Sequence, residues 1–432
     1  MKTSKFNYII KKPNTDSIVY NTLNNSFVSL LNEELECLTT GKFDLLPQEV
    51  VGSLYDNGFL IDETMDETEF LKYQFDRTRY ATETFAVTIA PTLNCNFVCE
   101  YCYESPRPGV LDDAGFGLIM DFIRSAYDRA PFKRLQVNWY GGEPMLCIQS
   151  IARWSKGLLR FSESHAVEYA SHIITNGSLV TEKNVALLEG SKISNAQVTI
   201  DGWGDMHDKR RPSRDGKPKF DLILSAVELM AKHGIEVSIR VNADINNLSD
   251  YQKLADYFQG TENVYVHIGH LRDYEALPAD IFRCFDCEGF SKAEYQIFEK
   301  SGYAIEDLDN IFSKRRMFCG ACTENSYVID DRCNVYKCWN DIGDESQAIF
   351  NLHVPEESRN VNYAALCRYM TWNPFKDETC GACAWMPICG GGCVFEKRKL
   401  GDPFCYPPVY SVDKYLDLYL KEVREDEDNQ ES

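Results

Sequence analysis

Between residues 80 and 270, short runs of aliphatic and β-branched residues alternate with longer stretches whose apolar positions recur every three or four residues. The runs predict strands at 85–90, 135–140, 172–175, 196–200, 236–241 and 264–268. The stretches between them predict helices, such as 111–129 and 220–233. Six strand-then-helix units in succession predict a parallel sheet bent into a partial (β/α)6 TIM-like barrel, whose chemistry belongs at the carboxyl ends of the strands. Ahead of the barrel, short strands at 8–10, 17–20 and 26–30 are followed by helices at 32–38 and 47–57. Asn57-Gly58 breaks the second helix before a strand at 59–62, and the whole reads as a winged-helix-like module. A polar helical linker covers 66–79. The predicted fold class is α/β in four regions: module and linker at 1–79, barrel at 80–270, a helical bridging region at 271–318, and a cysteine-rich domain with short hairpins and an acidic tail at 319–432.

Seventeen cysteines change this picture most. Residues 1–13 hold no continuous apolar stretch that would read as a secretory signal, and no run approaches the about 18 apolar residues needed to cross a bilayer. The expected address is cytoplasmic, with no membrane partner. There thiols stay reduced, and the count is odd, so a disulfide framework is excluded and metal ligation becomes the leading explanation. A net charge of -21 argues against nucleic acid as a partner, because phosphate binding needs clustered Lys and Arg. The acidic runs at 62–69 and 422–432 read as solvated surface.

Cys95, Cys99 and Cys102 form a Cys-x3-Cys-x2-Cys knot on the loop after the first barrel strand. Three thiolates on one loop can hold three irons of a 4Fe-4S cube and leave the fourth iron open. A zinc site would need a fourth ligand close by, and 94–109 offers no further Cys and no His. The ends of the next three strands carry Gly141-Gly142-Glu143-Pro144, Thr175-Asn176-Gly177 and Asp201-Gly202, each of which could also be an ordinary turn. The octapeptide Cys95-Asn96-Phe97-Val98-Cys99-Glu100-Tyr101-Cys102 resembles the signature of the radical S-adenosylmethionine (SAM) superfamily, over about 81–270. That resemblance implies that SAM binds the open iron through its amino and carboxylate groups. It further implies that an electron from the cluster cleaves the sulfonium, yielding a 5'-deoxyadenosyl radical that takes hydrogen from substrate carbon. No catalytic side chain is assigned beyond cluster and SAM. The SAM contacts implied are Tyr101, Gly141, Gly142, Glu143, Pro144, Thr175, Asn176 and Asp201, with Glu143 on the ammonium and Arg240 and Asn242 as further contacts.

Downstream, Cys380-x2-Cys383-x5-Cys389-x3-Cys393 and Cys405 follow Cys319-x2-Cys322 and Cys338, and 318–407 resembles the SPASM extension of radical SAM enzymes. The resemblance implies two auxiliary 4Fe-4S clusters, for three in all. Cys319, Cys322, Cys338 and Cys393 would hold the first, and Cys380, Cys383, Cys389 and Cys405 the second. Cys333 stands where the family often has glycine, and whether Cys322 or Cys333 ligates the first cluster stays open. Cys37, Cys147 and Cys367 read as small buried hydrophobes, and Cys284-x2-Cys287 as packing rather than a further site.

SPASM relatives mainly modify peptides and proteins. The amino-terminal module resembles the peptide-recognition domain of maturases of ribosomally made peptides, which add a leader segment as a strand to a sheet edge. With 8 Lys plus Arg against 13 Asp plus Glu in residues 1–80, peptide capture fits that module better than DNA. The expected function is a radical SAM peptide maturase that installs a thioether or other carbon-centred cross-link in a precursor peptide, with flavodoxin or ferredoxin as external electron donor. The alternative is an anaerobic sulfatase-maturing enzyme that forms formylglycine, a family that usually has Asp directly after the ligand matched by Cys338, where Trp339 stands here. A non-catalytic iron-sulfur or zinc-binding regulator is the third reading.

Overall fold

A computed structural model describes residues 1–12, 16–274, 277–300, 305–401 and 404–431. Pro13 and Ser432, the ends of two stretches read above, lie outside the described residues, as do 275–276 and 301–304 of the bridging region. By contacts the chain forms two units. The barrel unit comprises 80–286 and 320–371, and the terminal unit 1–79, 287–319 and 372–432.

The barrel unit is built on a sheet whose parallel strands run in chain order: β6 (Thr84–Ile89), β7 (Arg134–Trp139), β8 (Glu168–Thr175), β9 (Ile193–Thr199), β10 (Glu236–Ala243) and β11 (Val264–His270). These are the six strands expected, each within a few residues, and the fold class is the α/β partial barrel predicted. The strands alternate in composition because one face packs under helices and the other does not. On β10, Val237, Ile239 and Val241 are fully buried, while Ser238, Arg240 and Asn242 between them are half-buried. The helices start where the sequence can satisfy their free N–H groups. Asp112 accepts from Gly115 N at 2.7 Å to open the helix Asp113–Arg129, and Thr181 accepts from Asn184 N at 3.3 Å to open Glu182–Gly190.

The sheet continues past β6. There β12 (Ser326–Ile329) pairs parallel to β6, then β13 (Asn334–Tyr336) and β14 (Phe350–Asn351) follow antiparallel, giving nine strands. An uncovered β6 would leave a row of unpaired backbone groups. Asn325 O and Ile329 O instead accept from Ala86 N and Ala90 N, both at 2.8 Å. Ala90, Leu93, Val328, Tyr336 and Ile342 then pack as one apolar cluster over the join.

In the terminal unit, β1 (Lys2–Thr3) pairs with β5 (Leu60–Ile61), and β2 (Asn7–Ile10), β3 (Ser17–Asn21) and β4 (Ser26–Leu30) form an antiparallel sheet. Helices Asn32–Thr40, Gln48–Asp56 and Glu67–Arg79 follow the predicted pattern. One face of this sheet covers the module's own core of Val19, Leu35, Leu38 and Leu54. The other face carries Tyr20 into a cluster with Tyr295, Phe312, Trp385, Ile388 and Tyr415, so residues from both ends of the chain share one core. Among the described residues no helix is long and apolar enough to cross a membrane.

Candidate active site at the strand ends

The cysteine loop leaves β6 and is held at its base by Thr92, whose hydroxyl donates to Gly109 O at 2.5 Å. Its far side is clamped by the segment after the helix Asp205–Arg210. Phe97 and Ser213 form an antiparallel bridge, Val98 N donates to Pro212 O at 2.9 Å, and Arg214 N donates to Asn96 O at 2.8 Å. Arg214 Nε donates to Cys95 O at 2.6 Å. The loop therefore carries its thiols on a fixed backbone.

Burial pushes the Cys95 thiol up to about 11 and the Cys102 thiol up to about 12, and raises that of Cys99, while Arg211 acts on all three in the opposite direction. Cys95 and Cys102 each feel the charge of Cys99, so the three converge. Phe97 N donates to Cys95 Sγ at 3.4 Å, a contact that favours a thiolate. Among the described residues no three Cys, His, Asp or Glu side chains stand close enough to grip a single metal ion. Cluster thiolates need not, since each binds a different iron. Convergent thiols, those of Cys95 and Cys99 half-buried and that of Cys102 on an exposed residue open to a ligand, beside the buried Arg211 fit an anionic iron-sulfur cluster.

Gly141 and Gly142 are needed by the loop itself. Gly141 has φ +107°, and a Cβ there would collide with Thr92 O, as one on Gly142 would with the Asn94 carbonyl. Glu143 is wholly buried and staples two strand ends. Its Oε1 accepts from Met145 N at 2.9 Å and from the Thr175 hydroxyl at 2.7 Å, and its Oε2 accepts from Asn176 N at 2.7 Å. Asn176 Nδ2 donates to Asn96 Oδ1 at 2.8 Å, which returns the chain of contacts to the cysteine loop. Beyond β9, Asp201 accepts from the Tyr101 hydroxyl and, at 2.8 Å, from Asn242 N. Asn242 Nδ2 donates to the Tyr101 oxygen at 3.3 Å, and Arg240 Nε donates to Asn242 Oδ1 at 2.9 Å. Tyr101, Glu143, Thr175, Asn176 and Asp201 are thus tied by hydrogen bonds beside the cysteine loop, but Glu143, expected on the ammonium of SAM, is fully buried with both carboxylate oxygens taken by protein donors.

Residues that sequence reasoning missed stand there too. Arg211 donates to the Tyr101 hydroxyl and lies 3.7 Å from Asp201 Oδ2. Next to Cys102, the Tyr103 and Tyr140 hydroxyls share a hydrogen bond, and Trp339, directly after Cys338, packs on Tyr140 with ring centroids 4.8 Å apart. Burial pushes the carboxyl of Glu104 up to about 7, opposed by Tyr140, and its Oε2 has no hydrogen-bond partner. Tyr103 and Tyr140 were marked in the sequence only by lying directly beside Cys102 and Gly141, Trp339 by following Cys338, and Arg211 and Glu104 by nothing. Arg107 ties the loop's exit to the β12–β13 turn through Asp330 at 3.1 Å and Asp331 at 2.9 Å. Cys333 sits in that turn at φ +62°, which explains why relatives favour glycine at this position, and its thiol donates to Gly115 O at 3.7 Å.

In the terminal unit Cys380, Cys383, Cys389 and Cys405 come together. Charge on Cys389 bears on Cys380 and Cys405, and charge on Cys405 bears on Cys383. The Cys389 sulfur receives backbone N–H groups from Tyr406, Gly391 and Gly392, and Trp385 N donates to Cys383 Sγ at 3.4 Å. Gly390, Gly391 and Gly392 all have positive φ, and a Cβ on Gly392 would strike Phe404 O, so only glycine brings this loop against the strand of chain that carries Cys405. Donors aimed at sulfur are what a cluster-bound thiolate uses. Cys287, read from sequence as packing, lies within electrostatic reach of Cys405 and Tyr410. The four cysteines assigned to the first auxiliary cluster are divided, with Cys322 and Cys338 in the barrel unit and Cys319 and Cys393 in the terminal unit.

The chain is 21% identical over 327 residues to a cysteine-type anaerobic sulfatase-maturating enzyme of Clostridium novyi, covering 71% of this chain and 86% of the relative. It is 27% identical over 152 residues to a serine-type anaerobic sulfatase-maturating enzyme of Bacteroides thetaiotaomicron, a match that spans only 33% of this chain and 35% of that protein. Among solved structures, native anSMEcpe with bound S-adenosylmethionine superposes with a TM-score of 0.62 at 20% identity, over 80% of this chain and 99% of that one, and so shares its fold. Residues 89–258 match the radical SAM superfamily, and the chain carries a radical SAM domain.

Proposed function

We propose that this chain is a radical SAM maturase that oxidises a side chain of a peptide or protein, in the manner of the sulfatase-maturating enzymes it resembles. The observation that carries the reading is the length of the Clostridium novyi match, which extends over 327 residues, well beyond the 170 or so of the radical SAM domain itself. The bound cluster and SAM supply hydrogen-atom abstraction, and this chain's residues supply place and exclusion of water. Cys95, Cys99 and Cys102 hold the cluster, Glu143, Thr175, Asn176 and Asp201 shape the SAM surface, and Cys380, Cys383, Cys389 and Cys405 hold an auxiliary cluster. Tyr103, Glu104, Tyr140 and Trp339 line the side on which substrate would lie.

One observation favours a second reading, cross-link formation in a precursor peptide. Where sulfatase-maturing enzymes usually have an aspartate, Trp339 packs tilted against Tyr140 and offers no proton acceptor. The two readings separate in one experiment. Reconstituted enzyme, strong reductant and SAM are incubated anaerobically with a sulfatase-type Cys peptide, and products are read by mass spectrometry and an aldehyde-reactive hydrazide. Formylglycine with stoichiometric 5'-deoxyadenosine supports sulfatase-type maturation. 5'-Deoxyadenosine with no aldehyde sinks it and leaves cross-linking, and no 5'-deoxyadenosine, with loss of Cys95, Cys99 and Cys102 making no difference, would end both.

A further inference from the structure

Arg211 is a buried cation that neither the sequence motifs nor the strand-end pattern singled out. Its place is fixed by the backbone clamp, since Pro212, Ser213 and Arg214 bond directly to residues 96–98 of the cysteine loop. The guanidinium lies over the rings of Phe97 and Tyr101, at 5.8 and 6.0 Å, and these are the residues two before and two after Cys99. Arg211 is 9% exposed, donates to the Tyr101 hydroxyl, stands 3.7 Å from Asp201 Oδ2, and keeps a buried Nε with no hydrogen-bond partner. Asp201 offsets the charge only in part, because its two oxygens also accept from Tyr101 and from Asn242 N.

A guanidinium does not deprotonate in a protein, and in a poorly solvated site its field is weakly screened. Reduction adds one negative charge to an iron-sulfur cluster, and nearby fixed charge is one of the means by which a protein sets cluster potential. We propose that Arg211 is a positioning residue that holds a permanent positive charge against the Cys95–Cys99–Cys102 loop and raises the reduction potential of the cluster bound there, easing its one-electron reduction by an external low-potential donor. This rests on the radical SAM reading of the loop. Asp201, the opposing charge, lowers the same potential.

The test is an anaerobic redox titration of the reconstituted full-length enzyme, followed by the EPR signal of the reduced cluster, without SAM and then with it. Auxiliary signals are subtracted with a variant lacking Cys95, Cys99 and Cys102. Without SAM, Arg211→Gln should shift the oxidised-to-reduced equilibrium about tenfold toward the oxidised cluster, as expected for loss of one partly compensated buried charge. Arg211→Lys should retain most of the wild-type value. Lys217→Gln should move it little, because that residue is an exposed cation on the same segment, and Asp201→Asn should shift it the opposite way. SAM affinity, measured by calorimetry, should change less than threefold in Arg211→Lys. An unchanged potential in Arg211→Gln overturns the proposal, and so does a tenfold loss of SAM affinity without a shift, which would make Arg211 a SAM ligand. If Arg211→Gln fails to load iron, the sign of the Asp201→Asn shift decides. A wild type with no cluster signal dependent on the three cysteines would instead defeat the radical SAM reading itself.

Discussion

Glu143 offers the sharpest test of how the strand ends are held. Its carboxylate is fully buried and serves three donors: two backbone N–H groups, of Met145 and Asn176, and the Thr175 hydroxyl. Glu143→Ala removes all three acceptors at once. A buried donor left without a partner costs about 1–3 kcal/mol. Water entering the vacated space recovers part of that, so the expected loss is about 3–5 kcal/mol. Glu143→Gln keeps the shape. Its amide oxygen can still serve Met145 N and Thr175, but its NH2 then meets Asn176 N–H, donor against donor. That single lost bond costs about 1–3 kcal/mol. Burial raises the Glu143 carboxyl from its usual range, its three hydrogen bonds opposing, so the neutral amide regains a little by shedding the buried charge. The order of stability should be wild type, Gln, Ala, with the Ala variant about 2 kcal/mol below Gln. Anaerobic urea unfolding of the cluster-free proteins, followed by circular dichroism and intrinsic tryptophan fluorescence, reads the difference. Equal losses for Gln and Ala, or no loss in either, would refute the donor count and with it the assignment of Glu143 as a staple.

Asp244 is fully buried with Arg210, at 2.8 Å, and also accepts from Asn246 N, Asn247 N and Arg283 N at 2.8, 3.2 and 3.1 Å. Breaking such a pair from one side leaves a buried charge, so Asp244→Ala should lose about 3–5 kcal/mol in the same assay, and a loss below about 1 would contradict the burial. Burial pushes the Glu294 carboxyl up to about 7 from 4.5, against the influence of Arg315. The folded state therefore binds this proton more tightly than the unfolded one, and stability present below pH 4.5 is lost as pH rises through about 7, by up to about 3 kcal/mol. Glu294→Gln should flatten the fall in melting temperature between pH 5 and pH 8, and an unchanged slope would count against it. Tyr20 is fully buried, stacked on Phe27 at 4.5 Å and near Phe312 and Trp385 at 5.4 and 5.8 Å. Tyr20→Ala should cost about 3–5 kcal/mol and red-shift Trp385 emission, which a freely detachable amino-terminal module would not do. Substituting Cys380 and Cys383 should remove about four irons per chain without abolishing SAM cleavage, and unchanged iron would deny them a cluster.

The barrel was legible because its information is local. Alternation along each strand, the helical period between strands and capping residues such as Asp112 and Thr181 each act within a few residues, so the six parallel strands and their order follow from the chain read in sequence. The cysteine knot was legible for the same reason, as three ligands on one loop need no partner from elsewhere. What the sequence could not reveal depends on contacts between distant segments. Only the folded sheet joins β12 to β6, because nothing near residue 326 states which open edge it will cover. Only the folded terminal unit brings Tyr20 to Trp385, since aromatic residues far apart in the chain carry no mark of their partner. The glycine pair 141–142 announced a close approach, but whether to ligand or to backbone was decided by the cysteine loop folding onto it. Arg211 and Glu104 looked like ordinary surface charges in the chain. Burial made them functional candidates, and burial is a property of the whole packed structure rather than of any stretch of sequence.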